Sequence, residues 1–544
     1  MLYREILNIL SRYLFLFSLL LLIPLAVAYL YEFHFDITKT YLDHSTRSFV
    51  FTIVITLILA LLLKNFGRKA TGKLRRKEGI FLVICIWVIT SIIGALPFLF
   101  TKTLTNPIDA LFESVSGFTT TGSSIIYPKA YNDKGEEIPI TMNVTSQPDA
   151  SYQFYGTIAP IINPETGQEY KGFDAISRPI LFWRSFSQWI GGMGIIIFFL
   201  SILPMLGIGG KFLYEAGFPE DFPGSFQEKI KPRVQETSRV LLKTYIGLTI
   251  LQIIFLMLLN EDISLFEAAI TTFSTLSTGG FTVKQQSIAS FHNASTEWIV
   301  MLFMIFGGIN YSLYFFLIRG KFRKFLEPEF LIYCFTFLFI CLLIVWQLNP
   351  WIPESFRTFL NSVRPAFFQG ISAMTTTGFY TENYDAWPIG AQALMLMGMY
   401  IGGMTGSTSS GIKIGRHLIL FKAVAHRMEK LFRPESIRTL TLGEKEVPQQ
   451  HVINVFCFMA ILIIVAALGT LLFIFNGIDF ATAFGLIACA INNVGFAFRA
   501  AGPEGTCAIL PIFSKIVMII WMFLGRLEFF AFIVLILPSF WKKK

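Results

Sequence analysis

The chain has 544 residues, 54% of them hydrophobic and only 15% charged, with a mean hydropathy of +0.61. That is far more apolar surface than a soluble fold of this length can bury, so composition excludes a water-soluble protein and requires a polytopic membrane protein. The net charge of +9 does not point to nucleic acid, because the basic residues sit in short connections between apolar runs rather than on one soluble face.

A helix needs about 20 apolar residues to cross the hydrocarbon core of a bilayer. Stretches of that kind lie near 8–31, 48–66, 79–100, 180–204, 240–260, 295–319, 330–348, 392–425, 452–475 and 510–537, which predicts ten spans. The first follows Arg4 and Arg12 and carries Ala26-Val27-Ala28 near its end, as a signal peptide does. It is read as a retained helix, because its removal would leave the basic loops on mixed sides. With ten crossings, the loop from Arg68 to Lys77, the segment Lys229 to Arg239, the cluster Arg319 to Lys324, the stretch Lys413 to Arg438 and the terminal Lys542-Lys543-Lys544 share one side. The positive-inside rule then makes both termini cytoplasmic. Residues 124–178 form a long polar insert on the outer side, either a structured cap or a flexible loop. Its Asn143-Val144-Thr145, like Asn293-Ala294-Ser295, is read as a chance glycosylation sequon.

Four segments between the spans end alike: Thr119-Thr120-Thr121-Gly122, Ser277-Thr278-Gly279-Gly280, Thr375-Thr376-Thr377-Gly378 and Asn492-Asn493-Val494-Gly495. The likeness extends upstream. The strings from Asp109, Glu267, Pro365 and Thr482 share an alanine at the second place, and Ser116, Ser274, Ser372 or Cys489 follows six places later. Each is too short to cross a bilayer but long enough for a helix of two or three turns that enters and returns, a pattern tolerated where backbone lines a cavity. The expected fold is therefore an all-α polytopic membrane protein. It has two N-terminal helices and four helix, re-entrant pore loop, helix repeats with pseudo-fourfold symmetry.

A dehydrated cation needs a cage of oxygens, which inward-pointing backbone carbonyls supply and threonine hydroxyls extend. Glycine lets those carbonyls turn without a Cβ clash, and the short helices aim their partly negative C-terminal ends at the ion path. The pattern predicts a selectivity filter of Thr120, Thr121, Gly122, Thr278, Gly279, Gly280, Thr376, Thr377, Gly378, Asn493, Val494 and Gly495. Its cation ligands are the carbonyls of Thr120, Thr121, Thr278, Gly279, Thr376, Thr377, Asn493 and Val494. One such string alone reads as a helix C-cap; four aligned copies read as a pore. Because the fourth turn offers Asn492, Asn493 and Val494, the filter is expected to be only approximately fourfold, and with one glycine per turn instead of two it is expected to be moderately selective.

Further strings are specific. They are Gln188-Trp189-Ile190-Gly191-Gly192-Met193-Gly194, Leu203 to Gly210, Lys231-Pro232-Arg233 with Glu236-Thr237, Gly307-Gly308-Ile309-Asn310-Tyr311, Gly402 to Lys413, and Gly525-Arg526-Leu527-Glu528. With the four turns they resemble, over nearly the full length, the TrkH/TrkG potassium-translocating subunits of the bacterial Trk system, within the Trk/Ktr/HKT superfamily. The resemblance implies K+ as the transported ion, a homodimer, and a cytoplasmic ring of TrkA-type nucleotide-binding subunits, with no nucleic acid partner. This chain has no Gly-x-Gly-x-x-Gly after a strand and no Walker A string, so nucleotide would act through that partner. The organisation implied is 1–78 two N-terminal helices, 79–204 first repeat, 205–239 cytoplasmic loop, 240–319 second repeat, 320–426 third repeat, 427–451 basic linker and 452–544 fourth repeat. The linker is either a docking surface or simply a positive-inside loop. Two departures from the family pattern are the long 124–178 insert and Ser409-Ser410 where glycines are expected.

The run from Gly402 to Gly411 falls in the middle of the 392–425 span. So many poor helix formers favour an unwound segment beside a polar cavity, although close packing through small residues is the alternative. The resemblance assigns Gly402, Gly403, Gly406, Ser407 and Gly411 to a loop that obstructs the ion path, and Arg526 to an electrostatic barrier under the filter. Arg526 alternatively braces loop carbonyls or Glu528. Arg184 is read as snorkelling to the interface, and Asp109 and Glu267 as carboxylates at helix N-termini. Six cysteines and six histidines show no disulfide, zinc or catalytic spacing, so the chain is not read as an enzyme. The function expected is gated, channel-like potassium uptake across the bacterial inner membrane, regulated by the nucleotide-binding partner. A K+/H+ or K+/Na+ symporter on the same fold and, remotely, a membrane-embedded enzyme are the alternatives.

Overall fold

The computed structural model describes residues 3–35, 44–68, 70, 76–144, 147–162, 167, 169–194, 234–349, 356–434, 440–443 and 445–542. Three helices open the chain: α1 (Tyr3–Leu20), its continuation α2 (Leu22–Leu30) and α3 (Ser45–Phe66). Ser11 of α1 ties the first of these to α3, its hydroxyl donating to the Ala60 carbonyl at 2.7 Å, and a Tyr13–Thr90 hydroxyl pair leans α1 on α4 (Arg76–Phe100). After α4 a four-part order recurs: a long apolar helix, a short helix, a tight turn, and a second apolar helix that breaks. The first set is α4, α5 (Pro107–Phe118) and α6 (Arg178–Gly192). The second is α7 (Val234–Leu259), α8 (Leu265–Leu276), α9 (Ala294–Gly307) and α10 (Tyr311–Ile318). The third is α11 (Pro328–Leu348), α12 (Phe356–Met374), α13 (Ile389–Ile401) and α14 (Ile414–Phe432). The fourth is α15 (Gln449–Phe475), α16 (Phe480–Asn492) and α17 (Ile512–Arg526).

All ten apolar stretches are largely helical where described, some of them with a break inside. Only six helices there are long and apolar enough to cross a membrane alone, among them Lys77–Phe100, Ser238–Leu259, Pro328–Leu348 and Gln449–Phe475. The shortfall has one cause. The second helix of every set is interrupted: α6 ends at Gly192, α9 and α10 meet at 95°, α13 stops at Ile401, and α17 turns through 115° into Phe530–Ile536. Gly191-Gly192, Gly307-Gly308, Gly402-Gly403 and Gly525-Arg526 stand at these breaks. At the first and fourth of these breaks the glycine lets the outgoing helix press on the short one. A Cβ on Gly191 would lie 1.9 Å from the Phe118 carbonyl oxygen, and one on Gly525 2.2 Å from that of Ile491. Side-chain-free contact, plus the roughly 1 kcal/mol by which glycine disfavours a helix interior, places the breaks there.

The short helices start on different caps. Asn106 accepts from the Ile108 N–H at 2.9 Å, Ser264 and Glu267 form a capping box, and Asp479 accepts from the Thr482 N–H at 3.0 Å. Glu267 thus caps as expected, whereas Asp109 does not. Its carboxylate pairs with Lys515 of α17 at 2.8 Å, because Asn106 has already taken the cap. Helix α12, at 19 residues, is longer than two or three turns and runs upstream through Pro365. The insert is structured. It holds three antiparallel hairpins, β1 (Ala130–Tyr131) with β2 (Glu137–Ile138), β3 (Ile140–Val144) with β4 (Gln147–Phe154), and β5 (Ile161–Ile162) with β6 (Glu169–Tyr170). Tyr152 of β4 donates to the Asp479 carboxylate and so seats the insert on the fourth set. Burial, and then Asp479 itself, pushes the Tyr152 hydroxyl up to about 12. Bonds from Thr482 and Tyr152 outweigh burial and hold Asp479 below its ordinary value. The strings Leu203 to Gly210 and Lys231-Pro232-Arg233 lie outside the described residues, as do the far end of the 180–204 stretch and most of the 205–239 loop.

Candidate ion-binding ring and the loop beside it

Each short helix ends in the same way. The N–H groups of Thr121, Gly279, Thr377 and Val494 donate to carbonyls five residues back, on Ser116, Ser274, Ser372 and Cys489, at 2.9, 2.8, 2.9 and 3.1 Å. The residue before each donor is left-handed: φ is 56° at Thr120, 52° at Thr278, 56° at Thr376 and 50° at Asn493. This is the Schellman ending of a helix. The C-cap reading and the pore reading of these strings therefore describe the same backbone. The recurring small residue serves it twice, since Ser116 and Ser372 also donate from Oγ to the carbonyls of Ser123 and Phe379 at 2.6 and 2.7 Å.

A β-branched residue at positive φ costs on the order of 1–3 kcal/mol and needs local support. Thr120 and Thr278 find some by donating from Oγ1 to the preceding carbonyl, both at 2.7 Å. Asn493 enters this conformation more readily. Its amide then bridges Thr121 Oγ1 at 2.8 Å and the Met522 carbonyl at 3.1 Å. The fourth turn differs from the others in side chains, not in path.

Glycine ends each turn, with φ of 81° at Gly122, 81° at Gly280, 85° at Gly378 and 96° at Gly495. A Cβ on Gly122 would lie 2.0 Å from the carbonyl oxygen of Gly279, and one on Gly280 2.3 Å from that of Thr377. On Gly378 it would lie 1.9 Å from the oxygen of Val494, and on Gly495 2.7 Å from that of Thr121. First touches second, second third, third fourth, and fourth first. The twelve residues singled out in the sequence are thus drawn into one closed ring of backbone.

Where the chain leaves the glycines, cross-links of differing chemistry join neighbours. Arg184, 1% exposed, pairs with the fully buried Glu113 at 2.6 Å and donates to Ser124 Oγ and the Thr282 carbonyl, joining the first turn to the second. Its guanidinium lies 4.1 Å from the centre of the Phe281 ring. Arg184 therefore does not snorkel. A carboxylate that also accepts from Ile125 N–H holds it inside, which is how a buried charge is made tolerable. Tyr380 Oη donates to the Gln285 carbonyl at 2.6 Å, Tyr384 Oη to the Ala497 carbonyl at 2.7 Å, and the Cys507 N–H to the Ser124 carbonyl at 3.3 Å.

On the side of the helix C-termini lies the segment 402–413. It is not helical, and Gly402, Gly406 and Gly411 take φ of 74°, 79° and 77°. It touches the ring directly. The Ser410 N–H donates to Thr376 Oγ1 at 2.8 Å, and Thr408 Oγ1 donates to the Leu276 carbonyl at 2.8 Å. Elsewhere it is held by the Met404 N–H on the Gly308 carbonyl at 2.9 Å and by the Thr405 N–H on Glu329 Oε1 at 2.7 Å. Gly403 and Ser407 lie within this segment; a Cβ on Gly403 would meet Ser409 Oγ at 2.1 Å, and Ser407 Oγ bonds Ser409 Oγ at 2.7 Å. Arg526 ties it to the first set. One guanidinium nitrogen donates to the Thr408 carbonyl and Ser410 Oγ at 3.1 and 3.0 Å, and the other to the Gly191 and Gly192 carbonyls at 2.7 and 2.9 Å. Glu528 instead pairs with Arg416. Sequence reasoning missed Glu329, Thr408 and the three other breaks. A signal was there: aligning the glycine pairs places Arg526 where the other sets have Gly192, Gly308 and Gly403.

The family model for the TrkH cation transport protein matches residues 164–543. The Trk system potassium uptake protein TrkH of Escherichia coli K12 is 31% identical, covering 99% of this chain and 100% of that one. TrkG of the same organism is 30% identical, covering 97% and 96%. The crystal structure of the potassium transporter TrkH from Vibrio parahaemolyticus superposes with a TM-score of 0.78 at 28% identity, covering 100% of both chains. These are transport proteins rather than enzymes, and the likeness runs over nearly the full length of the chain. The chain is a multi-pass membrane protein that belongs to the TrkH cation transport family.

Proposed function

We propose that the chain is the potassium-conducting subunit of a bacterial Trk-type uptake system, with the ring of four turns as its selectivity filter. The observation that carries this reading is the cyclic contact of Gly122, Gly280, Gly378 and Gly495 with carbonyl oxygens of the next turn. One chain supplies four alike turns around one axis, where a K+ exchanges its water for the carbonyls of Thr120, Thr121, Thr278, Gly279, Thr376, Thr377, Asn493 and Val494. Helices α5, α8 and α16 are about 18–20 Å long at the α-helical rise, short of the ~30 Å hydrocarbon core, so they enter and return. Their partly negative C-terminal ends favour a cation at the axis. The four sets are then pore repeats in pseudo-fourfold arrangement, and the insert caps the outer mouth.

The gate is the segment with Gly402, Gly403, Gly406, Ser407 and Gly411, pinned under the filter by Arg526. Both termini face the cytoplasm across the bacterial inner membrane. The chain works as a homodimer on a ring of TrkA-type nucleotide-binding subunits, as the relatives' membership of a multi-component Trk system supports. Flow is downhill rather than coupled to H+ or Na+. In liposomes at clamped voltage, K+ and Rb+ should pass well ahead of Na+. Rb+ accumulation driven by a pH gradient alone would overturn the uniport mode. Absence of any cation flux would overturn the whole reading.

A further inference from the structure

We propose that Gln188 is a specificity-determining residue of the filter: its amide completes the second turn and sets the departure of the ring from fourfold symmetry. The inference rests on the filter reading above. Gln188 belongs to α6 of the first set and is fully buried. Its Nε2 donates to the Gly279 carbonyl at 2.5 Å, and its Oε1 accepts from the Phe281 N–H at 3.1 Å. The side chain thus spans Gly280 and fixes the turn on both sides of it.

The match between Gln188 and Gly279 is steric as well as polar. A Cβ on Gly279 would lie 2.5 Å from Gln188 Cδ, 2.6 Å from Oε1 and 2.9 Å from Nε2. The amide therefore occupies the space of the side chain that residue 279 lacks. At the same place in the other turns stand Thr121, Thr377 and Val494, each filling it from within. The place of Gln188 itself, three residues before the first glycine of the break, is taken in the other sets by Met304, Met399 and Met522. All three are fully buried, and none carries an amide. At the junction of the first and second sets, methionine and a β-branched residue have been exchanged for glutamine and glycine.

The exchange acts on an oxygen that matters. The Gly279 carbonyl is the one against which Gly122 closes, in the same set as the carbonyls of Thr121, Thr377 and Val494. An oxygen that already accepts from an amide offers less field to a cation and is restrained in direction, and discrimination between K+ and Na+ depends on the number, field and stiffness of such carbonyls. Gln188 touches no ion in this scheme. It acts through Gly279 and is a positioning residue.

The test is Gln188→Met, alone and with Gly279→Thr, which together rebuild the second turn on the pattern of the other three. Both are reconstituted, and K+, Rb+ and Na+ flux is measured at clamped voltage with half-saturating concentration separated from maximal flux. Gln188→Met removes both bonds, and loss of the one to the Gly279 carbonyl predicts a shift of about three- to tenfold in the K+ over Na+ preference. The double variant should recover most of that shift. A fall in maximal flux with the preference intact, or a preference shift that the double variant does not recover, overturns the proposal. Should Gln188→Met fail to accumulate in membranes, Gln188→Glu keeps the acceptor for Phe281 and removes the donor to Gly279. An unchanged preference there has the same consequence. Gly378→Ala, measured alongside, separates the two levels. If it destroys the preference while the Gln188 variants do not, the filter stands and this inference falls.

Discussion

The ring and the segment beside it are both rich in glycine and small hydroxyl residues, yet they are built on opposite principles. In the ring the glycine that ends each turn abuts a carbonyl of the next turn, and every turn is closed by the same hydrogen bond at the end of a helix. Displacing one turn would disturb its neighbours. The segment 402–413 belongs to no repeated contact. It is held by separate bonds to Thr376, Leu276, Gly308, Glu329 and Arg526, each from a different element. Under the proposed gating, such a segment would leave as its bonds are exchanged for water, whereas the ring would not loosen piecemeal. Similar composition then serves two different ends because only the ring is closed on itself.

The comparison breaks most severely if the ring tolerates side chains. Substituting the four glycines by alanine should damage K+ over Na+ preference in the order Gly378, Gly122, Gly280, Gly495, following the 1.9, 2.0, 2.3 and 2.7 Å at which a Cβ meets the neighbouring carbonyl. The first two should lose at least about tenfold, because a 2 Å contact with backbone cannot be relieved without moving the ring, at a cost of several kcal/mol. Flux ratios in liposomes, beside protein recovered from membranes, give the order. A flat series would mean that the turns are not closed on one another.

The next test bears on the segment. Arg526→Ala removes four hydrogen bonds that tie Thr408 and Ser410 to Gly191 and Gly192. It should raise K+ flux several-fold while leaving the K+ over Na+ preference nearly intact, since no turn of the ring is touched. A change in preference comparable to that of Gly378→Ala would show that ring and segment are one rigid unit. Glu329→Gln is a gentler form of the same question. It keeps the acceptor for the Thr405 N–H but removes the charge, which converts a charge-assisted bond into an ordinary one. A rise in flux of about threefold, smaller than for Arg526→Ala, is expected.

How much of this was legible in the sequence follows the range of each interaction. The ten apolar stretches and the four turns are local patterns, legible because hydrophobic length and a glycine's φ are properties of a few adjacent residues; the stretches are largely helical where described, but six of the described helices are long and apolar enough to cross a membrane alone. The breaks at Gly191, Gly307 and Gly525 were present as strings, but each alone resembles ordinary packing and only their alignment shows them as one device. Arg184 was misread because its partner Glu113 is 71 residues away, and an arginine without a visible partner looks like an interfacial one. Asp109 does stand in the first turn of its short helix, but its ion pair was illegible for the same reason, its partner Lys515 being 406 residues distant. Gln188 carried no signal until the missing side chain at Gly279 was seen to be its space.

The smallest effect concerns the cross-links at the rim. Asp385 follows the third turn and accepts from the Arg499 N–H, which follows the fourth, at 3.0 Å, while its Oδ1 is buried without a partner. Burial raises its carboxyl from the ordinary 3.8 to about 6, with the Glu504 charge adding to the rise and the bond from Arg499 and its charge opposing it. Between those two values the folded protein keeps a proton that the unfolded chain has lost, so this group's contribution to stability declines as pH rises from 3.8 to about 6 and is level beyond. Asp385→Asn fixes the uncharged form and preserves the acceptor for Arg499. Thermal unfolding of the purified protein should therefore show the variant gaining on the parent through that interval and holding a constant lead above it, with K+ over Na+ preference unchanged. A constant difference at every pH would mean that the rim carboxyl titrates alike in both states, and the rim would then be as well solvated as the ring is not.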